Sequence, residues 1–164
     1  MHILLKKKWI YKGFDQIKSE VGKVMELEKQ LCSLEHSKRL NELGVKQNSM
    51  FVWQYYDDRC YAAKFLPFAL AKPLPDGWKQ YAAFSVAELG ELLPNEINNE
   101  DDDKCLFYYD KYNNCHRISY VEDCQELCSP FIETKGDTEA NARAKILIYL
   151  IENKLMELND EKKS

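Results

Sequence analysis

Between Thr138 and Leu158 the apolar residues Ala140, Ala144, Leu147, Ile151, Leu155 and Leu158 recur at steps of three and four, the spacing of one face of an α-helix. Small alanines come first and large aliphatics follow. Such a stripe is stable only when buried against another surface, so the chain must supply a layer to receive it. The stripe itself carries no chemistry. It dictates how a core closes, and says nothing of what the protein does.

A chain of 164 residues has the size of one domain, and 45% hydrophobic residues suffice for a core. The formal net charge of -4 disfavours a phosphate backbone, whose binding depends on a basic surface that releases counterions. No nucleic-acid partner is therefore expected. No apolar run reaches the roughly 18 residues of a membrane span, and Ile3-Leu4-Leu5 ahead of Lys6-Lys7-Lys8 reverses the order of a secretion signal. We expect a cytoplasmic protein with no membrane contact. Its six cysteines, Cys32, Cys60, Cys105, Cys115, Cys124 and Cys128, are then expected as reduced thiols.

Ile17, Val21, Val24, Leu27, Leu31 and Leu34 predict a helix over residues 14–34, interrupted by Gly22. Ser33 is a natural cap for a second helix carrying Leu34, Leu40 and Leu43, with Gly44 as its left-handed terminator. The period then changes to two from Phe51. A three-residue loop at Asp57-Asp58-Arg59 would set Tyr55 opposite Tyr61, Trp53 opposite Ala63 and Phe51 opposite Phe65. Pro67, Pro73, Pro75 and Asp76-Gly77 predict an irregular crossing, and Lys79 to Phe84 a further strand.

Ser85-Val86-Ala87-Glu88 spells a capping box for a short helix that Pro94 stops. Asn98 to Asp103 reads as a solvated acidic loop, lacking the glycine and terminal glutamate of a calcium-binding hand. Around Asn113-Asn114 a two-residue turn pairs Tyr109 with Ile118, Phe107 with Tyr120 and Asp110 with Arg117. Beyond Pro130 the chain is expected to cross to Asp137 and Thr138, cap-type residues for the last helix. The fold class that follows is α+β. An antiparallel sheet built from two hairpins plus an extra strand is covered by N-terminal and C-terminal amphipathic helices.

Three blocks bear a resemblance. Met25 to Glu35 with Lys38-Arg39-Leu40 and Glu42 to Gln47, then Ser85 to Pro94, then Thr138 to Lys145 with Asn153-Lys154-Leu155 resemble, in that order, a family of uncharacterised proteins from gut Bacteroidetes genomes and their phages or mobile elements. The family brings no catalytic residues to carry over. The resemblance covers residues 25–158, which we take as a single α+β domain. Residues 1–24 are then an N-terminal extension, either an added helix or an upstream start, and residues 159–164 a polar tail.

Chemistry-bearing residues are sparse. No glycine-rich phosphate loop, nucleophile elbow or paired-histidine metal motif occurs in the sequence. Cys115, His116, Cys124 and Cys128 could supply a zinc site if a loop folded back, although their spacing matches no common zinc pattern. As strand neighbours, Cys115 and His116 would point to opposite faces and make no dyad. His2 and His36 are expected in solvated positions. Trp53, Tyr55, Tyr61, Trp78, Tyr108 and Tyr112 could stack on a ligand or anchor a partner, with sheet packing as the commoner use of such residues. Trp78, after the Pro75-Asp76-Gly77 turn, is the expected partner-binding residue. No catalytic residue and no cofactor is expected. The sequence thus points to a non-enzymatic accessory or interaction protein with an unknown protein partner; a small-molecule-binding domain or enzyme with an aromatic pocket is the alternative.

Overall fold

The computed structural model describes residues 27–56, 64–67, 77–122 and 129–158. In chain order these form α1 (Leu34–Glu42), β1 (Phe51–Tyr56), β2 (Lys64–Pro67), β3 (Trp78–Ala82), α2 (Val86–Leu92), β4 (Glu96–Asn98), β5 (Lys104–Tyr112), β6 (Cys115–Glu122), β7 (Pro130–Gly136) and α3 (Glu139–Glu152). The class is α+β. The strands divide between two antiparallel sheets, of order β2-β1-β3 and β4-β5-β6-β7. One continuous sheet does not form because the capping box after β3 turns the chain into α2, and Pro94 then releases it into a new edge strand.

The expected helix through Leu34 breaks before Leu31. Gln30 and Leu31 donate back to Leu27 and Glu28 in a tight turn, after which the chain extends: Cys32 N–H bonds Phe84, and Val86 N–H bonds Gln30. Ser33 then caps α1 by accepting from His36 N–H, and Gly44 ends it at φ 84°. The part of that expected helix before Leu27 lies outside the described residues, as do the Asp57–Arg59 turn and most of the proline-rich crossing. The first hairpin pairs Trp53 with Phe65 and Phe51 with Pro67, two residues from the expected register. Since two is the strand period, the slip leaves the residues of β1 on the faces expected of them.

The second hairpin has the expected register throughout, with Tyr109 opposite Ile118, Phe107 opposite Tyr120 and Asp110 opposite Arg117. Asn113, first of the two loop residues, takes φ 54°, the positive value that a tight hairpin turn requires there. Two strands were not anticipated. Glu96–Asn98 forms β4 ahead of the acidic loop, and Pro130–Gly136 forms β7 where a crossing was expected.

The core lies between the β4–β7 sheet and α3. Ile97, Cys105, Ile118, Tyr120 and Ile132 meet Ala140, Ala144, Leu147 and Leu150, all buried. The buried surface of α3 is wider than the single expected stripe, since Ala142 and Ile146 are also fully enclosed. The helix has the sheet on one side and α1 and α2 on the other. Its alanines permit this close fit. A Cβ added to Gly136 would lie 2.6 Å from Ala142 N, so only glycine lets β7 turn directly into the helix.

Glu88 does more than complete the capping box. Its carboxylate accepts from Ser85 N–H and Oγ, from Ser49 Oγ and from Met50 N–H at 2.7 to 3.1 Å, tying the start of α2 to the start of β1. Burial pushes this carboxyl's pKa up, but the amides of Ser85 and Met50 and the hydroxyls of Ser85 and Ser49 together outweigh it and hold the group below the usual carboxylate range. A depressed folded-state pKa gives stability that is present above the unfolded value and is lost as pH falls through the folded one.

Two outcomes are expected. Leu147→Asp places an unpaired carboxylate in a fully enclosed site and abolishes cooperative unfolding by circular dichroism, whereas Leu147→Ala costs about 3 kcal/mol. Glu88→Gln lowers stability by about 1–2 kcal/mol at neutral pH, and denaturant titrations show the gap to the unsubstituted protein closing as pH falls below the carboxylate range.

Candidate interaction surface

In β5 and β6 the odd–even alternation of strand side chains assigns each residue a side. Cys105, Phe107 and Tyr109 face α3 together with Ile118 and Tyr120; Phe107 and Tyr120 meet edge to face at 5.8 Å, and Arg143 lies over Phe107. The opposite face carries Leu106, Tyr108, Asp110 and Tyr112 on β5, and Cys115, Arg117, Ser119 and Val121 on β6. Among the described residues no helix covers this outer face. Tyr108 is 53% exposed, Tyr112 72% and Leu106 39%.

Charges cross the same face in a row. Arg117 bonds Asp110 at 2.6 Å and Glu133 at 3.5 Å, and Lys135 meets Glu133 at 2.7 Å. Pairs as exposed as these contribute little stability, but they fix the orientation of side chains beside the tyrosines. Tyr112, Cys115, Arg117 and Lys135 line a shallow groove of about 480 Å³. This outer face presents two exposed tyrosines, Tyr108 and Tyr112, on one strand, and its chemistry suits contact rather than catalysis.

Trp78 opens β3, in the smaller sheet, opposite Tyr56, and is 39% exposed. Trp53 is core, with its indole N–H donating to the Cys32 carbonyl at 2.9 Å. Tyr55 stacks on Tyr81 at 5.9 Å and lies beneath the Lys38 ammonium. Tyr61 lies outside the described residues.

Cys115 and His116 point to opposite faces of β6, the former into the groove and the latter to Tyr109, whose hydroxyl is 3.0 Å from Nδ1. Cys124 and Cys128 lie outside the described residues. Among the described residues no three His, Cys, Asp or Glu side chains gather in a way that could hold a metal ion. Cys32 is buried against Ser37, and burial pushes its thiol up to about 11, far from a reactive thiolate.

No pattern in the sequence signals the cluster around His36. Its Nδ1 lies 2.8 Å from Ser33 Oγ and 3.2 Å from Asn141 Oδ1. Asn141 also accepts from Ser33 N–H and donates to Asp137. The arrangement superficially resembles a nucleophile, a base and an orienting amide. Yet Ser33 Oγ simultaneously caps α1, and one helical turn accounts for its proximity to His36, so the cluster serves to lock the starts of α1 and α3 together. Burial pulls the imidazole pKa below its ordinary value, with Lys145 adding to the effect and Asn141, Glu35 and Asp137 opposing it. In an NMR titration His36 is expected to protonate below the ordinary imidazole value, and His36→Gln to raise its stability relative to the unsubstituted protein as the pH falls. Comparison with protein-family models, with curated proteins and with solved structures finds no match.

Proposed function

We propose that this chain is a non-enzymatic protein-interaction module that binds a protein partner through the outer face of the β4–β7 sheet. The observation that carries the reading is the exposure of Tyr108 and Tyr112 at 53% and 72% on one strand, beside an ordered row of charges. Aromatic side chains bury large area at small entropic cost and are favoured as anchors. The opposite face supports the same reading: the space between sheet and α3 is filled by Ile118, Tyr120, Ala144 and Leu147, all buried, where an aromatic pocket would have to lie. The three sequence blocks that resemble small proteins of gut Bacteroidetes genomes and their phages support an accessory role of mobile-element origin.

The test is a paired substitution. Tyr108→Ser with Tyr112→Ser removes exposed side chains only, so the thermal midpoint stays within a few degrees of the unsubstituted protein. Affinity capture from the cell that carries the gene should then lose a partner that the unsubstituted chain retains. Identical captured sets for the two proteins would overturn the assignment of this face.

A further inference from the structure

The amide of Asn141 can sit in only one orientation. Its Oδ1 accepts the Ser33 backbone N–H at 2.8 Å, and its Nδ2 donates to Asp137 Oδ1 at 2.8 Å. A backbone N–H only donates and a carboxylate only accepts, so exchanging the two ends of the amide would set donor against donor and acceptor against acceptor. Oδ1 is thereby fixed towards α1, where it also lies 3.2 Å from Nδ1 of His36. This second contact constrains the imidazole. A bare Nδ1 would turn its lone pair onto another acceptor at a half-buried position, an arrangement that repels and satisfies neither atom. An Nδ1 that carries hydrogen meets Oδ1 and, at 2.8 Å, Ser33 Oγ as well. The hydroxyl hydrogen of Ser33 then turns to the groove that Ser33 and Asn141 line together with Trp53.

We propose that His36 is held in a single tautomer, with the proton of the neutral ring on Nδ1, inside the contact between α1 and α3, and the basic lone pair on Nε2. A histidine's tautomer is set by the hydrogen bond that one ring nitrogen makes, and here the fixed amide of Asn141 sets it. With Nδ1 turned to Ser33 and Asn141, the rest of the ring lines a shallow groove of about 450 Å³ between α1 and α3.

The position of the proton decides what acid does to this contact. As pH falls the ring takes up its second proton at Nε2, so Nδ1 keeps both partners and the starts of the two helices stay joined in either charge state. The new charge appears at the groove, among Glu35, Lys38, Arg39 and Glu42 of α1 and Lys145 of α3. Arg39 is already paired with Glu42 and Glu152, Lys38 lies over Tyr55, and Lys145 donates to the Lys135 carbonyl. Burial and Lys145 oppose charging of the ring, while Asn141, Glu35 and Asp137 favour it, so protonation carries an electrostatic cost without breaking a hydrogen bond. His36 is in this sense a charge switch at the groove that leaves the packing of α1 on α3 intact.

The test is long-range proton–nitrogen correlation NMR on the isotope-labelled full chain, with His36 assigned by the signals missing from His36→Gln. Above its titration the ring should show a pyrrole-type Nδ1 and a pyridine-type Nε2. On acidification Nε2 should make the large shift, Nδ1 should move little, and the Ser33 backbone amide should keep its slow exchange. Asn141→Ala removes the acceptor that forbids the other arrangement, so the Ser33 hydroxyl donates to Nδ1 and the form with hydrogen on Nε2 becomes the major one. Should that variant fail to fold, Ser33→Ala decides: Asn141 Oδ1 is still held by the backbone amide of residue 33, and the Nδ1–H form must persist. A pyridine-type Nδ1 in the unsubstituted protein overturns the proposal. So does an unchanged tautomer in folded Asn141→Ala, a reversed one in Ser33→Ala, or a Ser33 amide that begins to exchange freely as His36 charges.

Discussion

A helix that is buried on nearly every side has to be accommodated before anything else in a small domain, and α3 is such a helix. Ala140, Ala142, Ala144, Ile146, Leu147 and Leu150 are fully enclosed, with Lys145, Tyr149 and Glu152 left to meet solvent on a narrow side. The sheet supplies one wall and the two shorter helices supply the other. Because burying apolar surface contributes about 25 cal/mol per Å², this one element accounts for a large part of the margin that keeps the domain folded. Its alanines set how near β7 and α1 can come, and that nearness in turn decides that the sheet has one filled face and one open face.

The sequence reading succeeded where a short-range rule controlled the outcome. The capping box at Ser85 and Glu88, the terminator Gly44 and the second hairpin each depend on a few adjacent residues, and each is found where the pattern put it. It failed where a distant partner decides. β7 carries Ile132 inward and Lys135 outward but begins at a proline, and β4 is three residues long; both are strands only because β5 and β6 stand beside them. The first hairpin lies two residues from the expected register because the apolar side that favours a three-residue loop is a matter of alternation, and alternation cannot distinguish registers two residues apart.

The candidate surface was legible in part. Once Phe107, Tyr109, Ile118 and Tyr120 share the inner face, Tyr108 and Tyr112 follow on the outer one. Nothing in the sequence said that this outer face would be left without a helix, since that depends on all the described helices packing to the other side. Trp78, the residue expected to bind a partner, stands partly exposed at the start of β3 in the smaller sheet. His36, expected in a solvated position, is instead half-buried, because its partners, Ser33 apart, come from more than a hundred positions downstream. A histidine with one polar neighbour in sequence gives no warning of an asparagine arriving from the last helix.

The smaller sheet is joined to the rest of the domain along a thin seam. Leu31 bridges to Ser85, Cys32 bonds Phe84, Trp53 reaches the Cys32 carbonyl, and Glu88 clasps Ser49 and Met50. Its own buried cluster is Leu31, Trp53 and Ala83, against a far larger core around α3. Native-state opening follows contact density, so amide protons of β1 are expected to exchange ahead of those in the α3 core, to which β3 is held by Ala82. The indole of Trp53, bonded to the Cys32 carbonyl, sits on that seam and closes it from the smaller sheet's side.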